Sequence, residues 1–176
     1  MSDLFEHLRN EVLLCDGAMG SRLQQADLNV EIDYRGQENC SEILNLSRPD
    51  IVREIQQGFI AAGADIILTN TFGGSPITLA EFDLSDQAHE INQRAAELGR
   101  ESVESFHRDV ISRYVLGDIG PGTKLPSLGQ ISYDELEAAL AVQSAGLLAG
   151  GVDGIMIETV QDILQLKAAV NGARIA

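Results

Sequence analysis

The sequence predicts an α/β fold of the (β/α)8 TIM-barrel type, with about the first four β/α units present across residues 1–176. Three observations carry that expectation. Short apolar runs alternate with longer stretches of helical period, the pattern of parallel strands joined by helices. The runs are apolar nearly throughout, as strands buried on both faces are. Each run also ends in polar residues, which collect at the carboxyl ends of barrel strands because active sites are built there.

The runs are Val12–Cys15 followed by Asp16-Gly17, then Asp65–Asn70, Tyr114–Asp118 and Gly154–Glu158. Each is too short for a helix and is bounded by glycine or polar residues. Pro49 is placed at the first position of a helix in which Ile51, Ile55 and Phe59 recur at fourfold spacing, and Gly63 ends it. Ser85 is placed to cap the next helix, with Ala88, Ile91, Ala95 and Leu98 as its inner stripe. Ser132 and Glu135 have capping-box spacing before Leu136, Leu140 and Leu147, and Gly150-Gly151 closes that helix. Thr159 with Asp162 opens the last, with Ile163, Leu166 and Val170 inside. Long segments, 21–47 and 120–131, follow the first and third strands. An open doubly wound sheet is the competing architecture, and no G-x-G-x-x-G follows a strand to favour it. A barrel needs eight units, about 250 residues. Four units leave unpaired edges on the first and fourth strands. The expectation is therefore the N-terminal half of a longer barrel, or a half-barrel completed by a second copy.

The composition is 44% hydrophobic and 22% charged, enough apolar content for one packed core. The formal net charge of -15 argues against nucleic acid as a partner and against anionic membranes. No apolar stretch approaches the ~20 residues that cross a bilayer. The N-terminus lacks the basic start and apolar run of a signal peptide. Cys15 and Cys40 make no disulfide framework, which fits the reducing cytoplasm.

The strand ends carry the chemistry. Asp16-Gly17-Ala18-Met19-Gly20 sets a carboxylate beside glycines that let backbone approach a ligand, and it reads equally as a tight turn. Asn70-Thr71-Phe72-Gly73-Gly74 is a second polar and aromatic turn. Glu158 at a buried strand end needs a partner, because an unpaired buried carboxylate is costly. That partner is a structural donor or a cationic group such as a substrate ammonium. Asp118 could play the same part, though Gly-Asp-Ile-Gly-Pro-Gly also reads as a turn. Cys15 and Cys40 are not spaced as a zinc pair, and His7, His89 and His107 fall on predicted helices as surface residues.

LLCDGAMGS, AGADIILTNTFGG, GDIGPGTKLPSLG and GGVDGIMIETVQDILQLKAAV, in that order, closely resemble the homocysteine S-methyltransferase family. The third motif resembles its cobalamin-dependent branch, the N-terminal homocysteine-binding module of methionine synthases. The resemblance runs from about Val12 to Arg174. It implies a (β/α)8 barrel that binds homocysteine at its C-terminal rim and methylates it to methionine, in methionine biosynthesis. It also implies zinc held by three cysteine thiolates, and methylcobalamin on another module of the same protein as methyl donor. By the same resemblance Glu158 receives the homocysteine ammonium, Asp16 and Gly17 border its amino-acid end, and Asn70, Thr71 and Phe72 line the pocket. A free thiol of pKa near ~8.5 is mostly protonated at neutral pH, and zinc would deprotonate it. The family's zinc cysteines lie near the ends of the sixth and eighth strands, the latter as an adjacent Cys-Cys pair. Neither Cys15 nor Cys40 matches them, so no metal ligand and no catalytic residue carries over. The chain alone is therefore expected to be an incomplete, inactive fragment. The alternatives are a non-catalytic half-barrel that dimerises or binds a partner, a homocysteine methyltransferase with another donor such as betaine, and a barrel enzyme holding a hard cation on Asp16, Asp118 and Glu158.

Overall fold

A computed structural model describes residues 4–106 and 112–176. Eight α-helices and three strands run through them as α1 (Leu4–Asn10), α2 (Met19–Leu23), α3 (Leu44–Ser47), α4 (Pro49–Ala61), β1 (Ile66–Leu68), α5 (Pro76–Leu79), α6 (Ala88–Glu104), β2 (Tyr114–Ile119), α7 (Tyr133–Ala149), β3 (Gly154–Ile157) and α8 (Ile163–Ile175). The strands pair in parallel in chain order, with Leu68 opposite Leu116 and Asp118 opposite Met156. On the other side of β1, Cys15 makes a parallel bridge to Ile66. Strand order therefore never reverses along the described sheet, unlike a doubly wound one.

The first run differs from expectation. Only Cys15 bridges, Val12 is 91% exposed and Leu14 is 60% exposed, so this segment is not a strand buried on both faces. Leu13 turns to the covered face instead.

One face of the sheet carries Ile66, Leu68, Tyr114, Leu116 and Met156, which pack with Leu13 and with Leu4 of α1. His7 of α1 is half-buried rather than on the open surface: its Nδ1 lies 3.0 Å from the Tyr114 hydroxyl. His89 is exposed, and His107 lies outside the described residues. The opposite face packs on helices. Ile67 meets Ile60 of α4, and Ile119, Ile155 and Ile157 meet Leu136, Leu140 and Leu147 of α7 and Ala168 and Ala169 of α8. Side chains alternate along a strand. Asp118, two residues past Leu116, thus shares the inner face with Met156, and so does Glu158 two residues past Met156.

Helix boundaries follow local chemistry. Pro49 stands in the first turn of α4, whose buried stripe is Val52, Ile55, Gln56 and Ile60, with Ile51 and Phe59 at its margin. In α6, Ala88, Ile91, Ala95 and Leu98 are all buried, but Ser85 is not its cap: residues 85–87 form a 3-10 turn first. The Ser132–Glu135 capping box of α7 is present in both directions. Thr159 does not open α8; Asp162 caps it, accepting from the Leu164 N–H at 2.8 Å. The face of α8 turned to the core is Gln165, Ala168, Ala169 and Gly172 rather than the expected stripe, and Ile163 is 64% exposed. Small residues on that stripe let α8 sit against α7 backbone; a Cβ on Gly172 would lie 2.9 Å from the Glu137 carbonyl oxygen.

Two substitutions measure these contacts. Ser132→Ala removes the α7 cap and is expected to cost about 1 kcal/mol in urea unfolding. Leu147→Ala empties a fully buried position between sheet and helix and is expected to cost about 2–5 kcal/mol.

Candidate functional site

A cavity of about 710 Å³ opens beyond the carboxyl ends of the strands, where parallel sheets place ligands. Its wall includes Asp16, Glu42, Glu81, Asp118 and Glu158 and, among the described residues, no lysine or arginine. Such a wall favours a cationic ligand group.

Asp16 follows the bridged Cys15. Its Oδ2 accepts the Leu68 N–H at 3.1 Å, which ties this turn to the end of β1. Burial pushes its carboxyl up to about 6, and the Leu68 N–H opposes that rise. Gly17 is required by packing: a Cβ there would lie 2.9 Å from the Phe59 ring.

The loop after β1 is built from hydrogen bonds. Thr69 and Thr71 hydroxyls lie 2.6 Å apart, the Asp118 N–H donates to Thr69 Oγ1 at 2.9 Å, and the Thr71 hydroxyl donates to the Asp118 carbonyl at 2.7 Å. The Asn70 amide donates to the Ser41 carbonyl at 2.7 Å, and Asn45 donates to the Asn70 carbonyl at 2.8 Å. The polar groups of Asn70 and Thr71 thus hold the loop in shape while both residues border the cavity. Phe72 is 43% exposed beside the cavity, with its ring so close to Gly120 that a Cβ there would lie 2.7 Å away.

Glu42 is a wall residue that the sequence did not single out. It sits in a 3-10 turn (Ser41–Ile43), is buried, and accepts the Gly73 N–H on Oε1 at 2.7 Å. Burial raises its carboxyl, and the Gly73 bond partly offsets that. One available signal was a glutamate set among Cys40, Ile43, Leu44 and Leu46.

Asp118 is 6% exposed, and its Oδ1 is buried with no hydrogen-bond donor to meet it among the described residues. Burial first, and then the neighbouring Glu158 charge, push this carboxyl up to about 8. Glu158 is half-buried, its N–H bonded to the Ile119 carbonyl at 3.1 Å. The next residue, Thr159, has φ of 55°. A β-branched residue at positive φ is strained, and strain of this kind clusters at functional sites. Beyond β2 the loop is pinned to α8, because the Ser127 N–H donates to Asp162 Oδ2 at 2.8 Å and the Gln165 amide donates to the Pro121 carbonyl.

The six residues singled out for homocysteine, namely Asp16, Gly17, Asn70, Thr71, Phe72 and Glu158, all line this one cavity. The metal is a different matter. Cys15 is exposed and Cys40 fully buried. Burial, and then the charges of Asp16 and Glu42 respectively, push each thiol up to about 11, away from the thiolate that binds zinc. Among the described residues no group of three or more His, Cys, Asp or Glu is placed to hold a metal ion. The residues present do not fit a three-thiolate zinc site.

Comparison with known proteins assigns the family. The homocysteine S-methyltransferase family model matches residues 13–175. Methionine synthases of Mycobacterium leprae and Mycobacterium tuberculosis are each 44% identical over 173 residues, 98% of this chain and 14% of theirs. The chain thus spans about one seventh of the length of these relatives. Among solved structures, the homocysteine methyltransferase MmuM from Escherichia coli superposes in its metallated form with a TM-score of 0.80 at 20% identity, covering 99% of this chain and 63% of that one. Its oxidised form gives 0.82 at 21% identity, covering 99% and 62%. The chain belongs to the homocysteine S-methyltransferase family.

Proposed function

We propose that this chain is the homocysteine-binding part of a methionine synthase, and that residues 1–176 form the first half of a (β/α)8 barrel. The carrying observation is Glu158, a strand-end carboxylate in the wall of a cavity with no cationic side chain among its described residues. Family membership supplies the substrate class, and the mycobacterial methionine synthases supply the reaction: methyl transfer to the homocysteine thiol. The barrel is supported by chain-order parallel pairing and by the likeness of fold to the Escherichia coli enzyme.

In this proposal the Glu158 carboxylate takes the substrate ammonium. Asp16 and Gly17 border the amino-acid end, and Phe72 forms an apolar wall. Asn70 and Thr71 shape the loop that carries Phe72, with their polar groups bonded inward. These residues orient the substrate and so lower the entropic part of the barrier. Thiol activation by zinc, and methyl donation by methylcobalamin, would be brought by polypeptide other than these residues. The only two cysteines in the chain do not fit the zinc.

Calorimetric titration of the chain with L-homocysteine, and with 4-mercaptobutanoate, which lacks the ammonium, tests the assignment. Homocysteine is expected to bind at least about tenfold tighter, because a charge-assisted hydrogen bond is worth about 1.5–3 kcal/mol. Glu158→Gln is expected to narrow that difference and leave 4-mercaptobutanoate unchanged. An unaltered homocysteine affinity in Glu158→Gln would remove Glu158 from the site.

A further inference from the structure

We propose that Asp118 and Glu158 together form the ammonium seat: the Asp118 carboxyl holds a proton when the cavity is empty, and the ligand's ammonium takes that proton's place. This rests on the homocysteine-binding assignment above and adds a second carboxylate and a proton exchange to it.

The geometry begins with the backbone of Asp118, which cannot move away. Its N–H is held by Thr69 and its carbonyl by Thr71, at 2.9 and 2.7 Å, with the Gln143 amide of α7 a further donor to that carbonyl at 3.4 Å. Its side-chain Oδ1 is nonetheless buried and, among the described residues, meets no donor. Buried carboxylates are normally given donors, and the loops around this one spend theirs on its backbone instead. The Glu158 carboxyl borders the same cavity from the same face of the adjacent strand, and its charge acts on Asp118. Burial first, and then the acidic neighbours, keep a proton on the Asp118 carboxyl at neutral pH. The other titratable groups facing Asp118 are Asp16, from the turn after Cys15, and Glu42, from the 3-10 turn, and both are acidic. Cys15 is a weaker neighbour whose thiol Asp118 also raises. All of them favour a cation at this point. A primary ammonium brings one positive charge and three N–H donors, which satisfy the free oxygens of both residues. The Asp118 proton leaves to solvent as the ammonium enters, so charge balances.

The sign of the linked pH effects follows. The Asp118 carboxyl is raised from 3.8 to about 8, so the fold holds a proton that the unfolded chain has lost over that window. Stability from this group is present at low pH and fades as pH rises through about 8. Ligand binding runs the other way, because below that value a proton must be expelled.

The full 176-residue chain is titrated with L-homocysteine near pH 7 in phosphate and in Tris, whose ionisation heats differ. Release of about one proton per ligand is expected, with affinity weakening up to about tenfold per pH unit below pH ~8. Asp118→Asn is expected to bind about 10- to 100-fold more weakly and to release no proton. The same variant is expected to melt no lower than the parent at pH 6 and progressively higher toward pH 9, a gain that a lost structural contact would not produce. Buffer-independent heats in the parent, or undiminished binding by Asp118→Asn, would overturn the shared seat. n-Propylammonium is the second probe. If it binds with proton release while homocysteine does not bind, the seat stands and the homocysteine assignment falls; if neither binds, both fall.

Discussion

The hydroxyls of Thr69 and Thr71, 2.6 Å apart and buried, fix the relation between the first two described strand ends. Because Thr69 Oγ1 accepts the Asp118 N–H and the Thr71 hydroxyl donates to the Asp118 carbonyl, the proton between the two threonines must run from Thr69 to Thr71. That gives one directed chain of three hydrogen bonds around a single peptide segment. The Gln143 amide of α7 closes it from behind by donating to the Thr71 carbonyl at 2.8 Å. Loop, strand and helix are thereby locked in one arrangement, and everything that lines the cavity is referred to it. Phe72 follows directly from Thr71, Gly73 is held by Glu42, and Asp118 is fixed at its backbone. Chains of buried bonds polarise one another and tolerate no missing member.

This rigidity lets the fold keep carboxylates where they are costly. Asp16, Glu42 and Asp118 all sit with carboxyls raised by burial. Each has a different degree of relief. Glu42 has the Gly73 N–H and Asp16 has the Leu68 N–H, whereas Asp118 Oδ1 has no donor among the described residues. The gradient separates props from receptors: a carboxylate whose backbone donors are already in place holds a loop, and one left without them is available to a ligand. Strain at Thr159, immediately after Glu158, belongs to the same economy of local cost held in place by surrounding packing.

Much of this was legible in the sequence, for physical reasons that differ element by element. The second, third and fourth apolar runs became strands because near-continuous apolarity admits little else at that length. The α7 cap was readable because Ser132 and Glu135 interact across three residues, within a single turn. Tertiary context defeated the rest. Val12 and Leu14 look like core in sequence, but among the described residues nothing packs on that side of the bridged segment. The start of α8 was misplaced because Thr159 and Asp162 are both good caps, and the strained turn after β3 decides between them. In the site, Glu158 stood out as a carboxylate ending an apolar strand. Glu42 did not, since its role depends on Gly73, 31 residues away in sequence. Asp118 was ambiguous until its bonded backbone and unbonded side chain could be seen apart.

The electrostatics of the cavity also bear on how the chemistry must be divided. Acidic neighbours stabilise an ammonium and oppose a thiolate, and both native thiols show the second effect: Asp16 raises Cys15 and Glu42 raises Cys40. A homocysteine sulfur resting among Asp16, Asp118 and Glu158 would be held protonated and unreactive by the same field that binds its ammonium. In the proposed reaction, methyl transfer to sulfur would therefore require the thiol end to point away from this cluster, toward a separate positive centre that deprotonates it. Homocysteine has the length to span such a division, with its ammonium at one end and its thiol at the other. The acid-rich wall then acts as an orienting field as well as an anchor. Under the proposed assignment it would fix which end of homocysteine meets this wall, and would leave the sulfur free for whatever activates it.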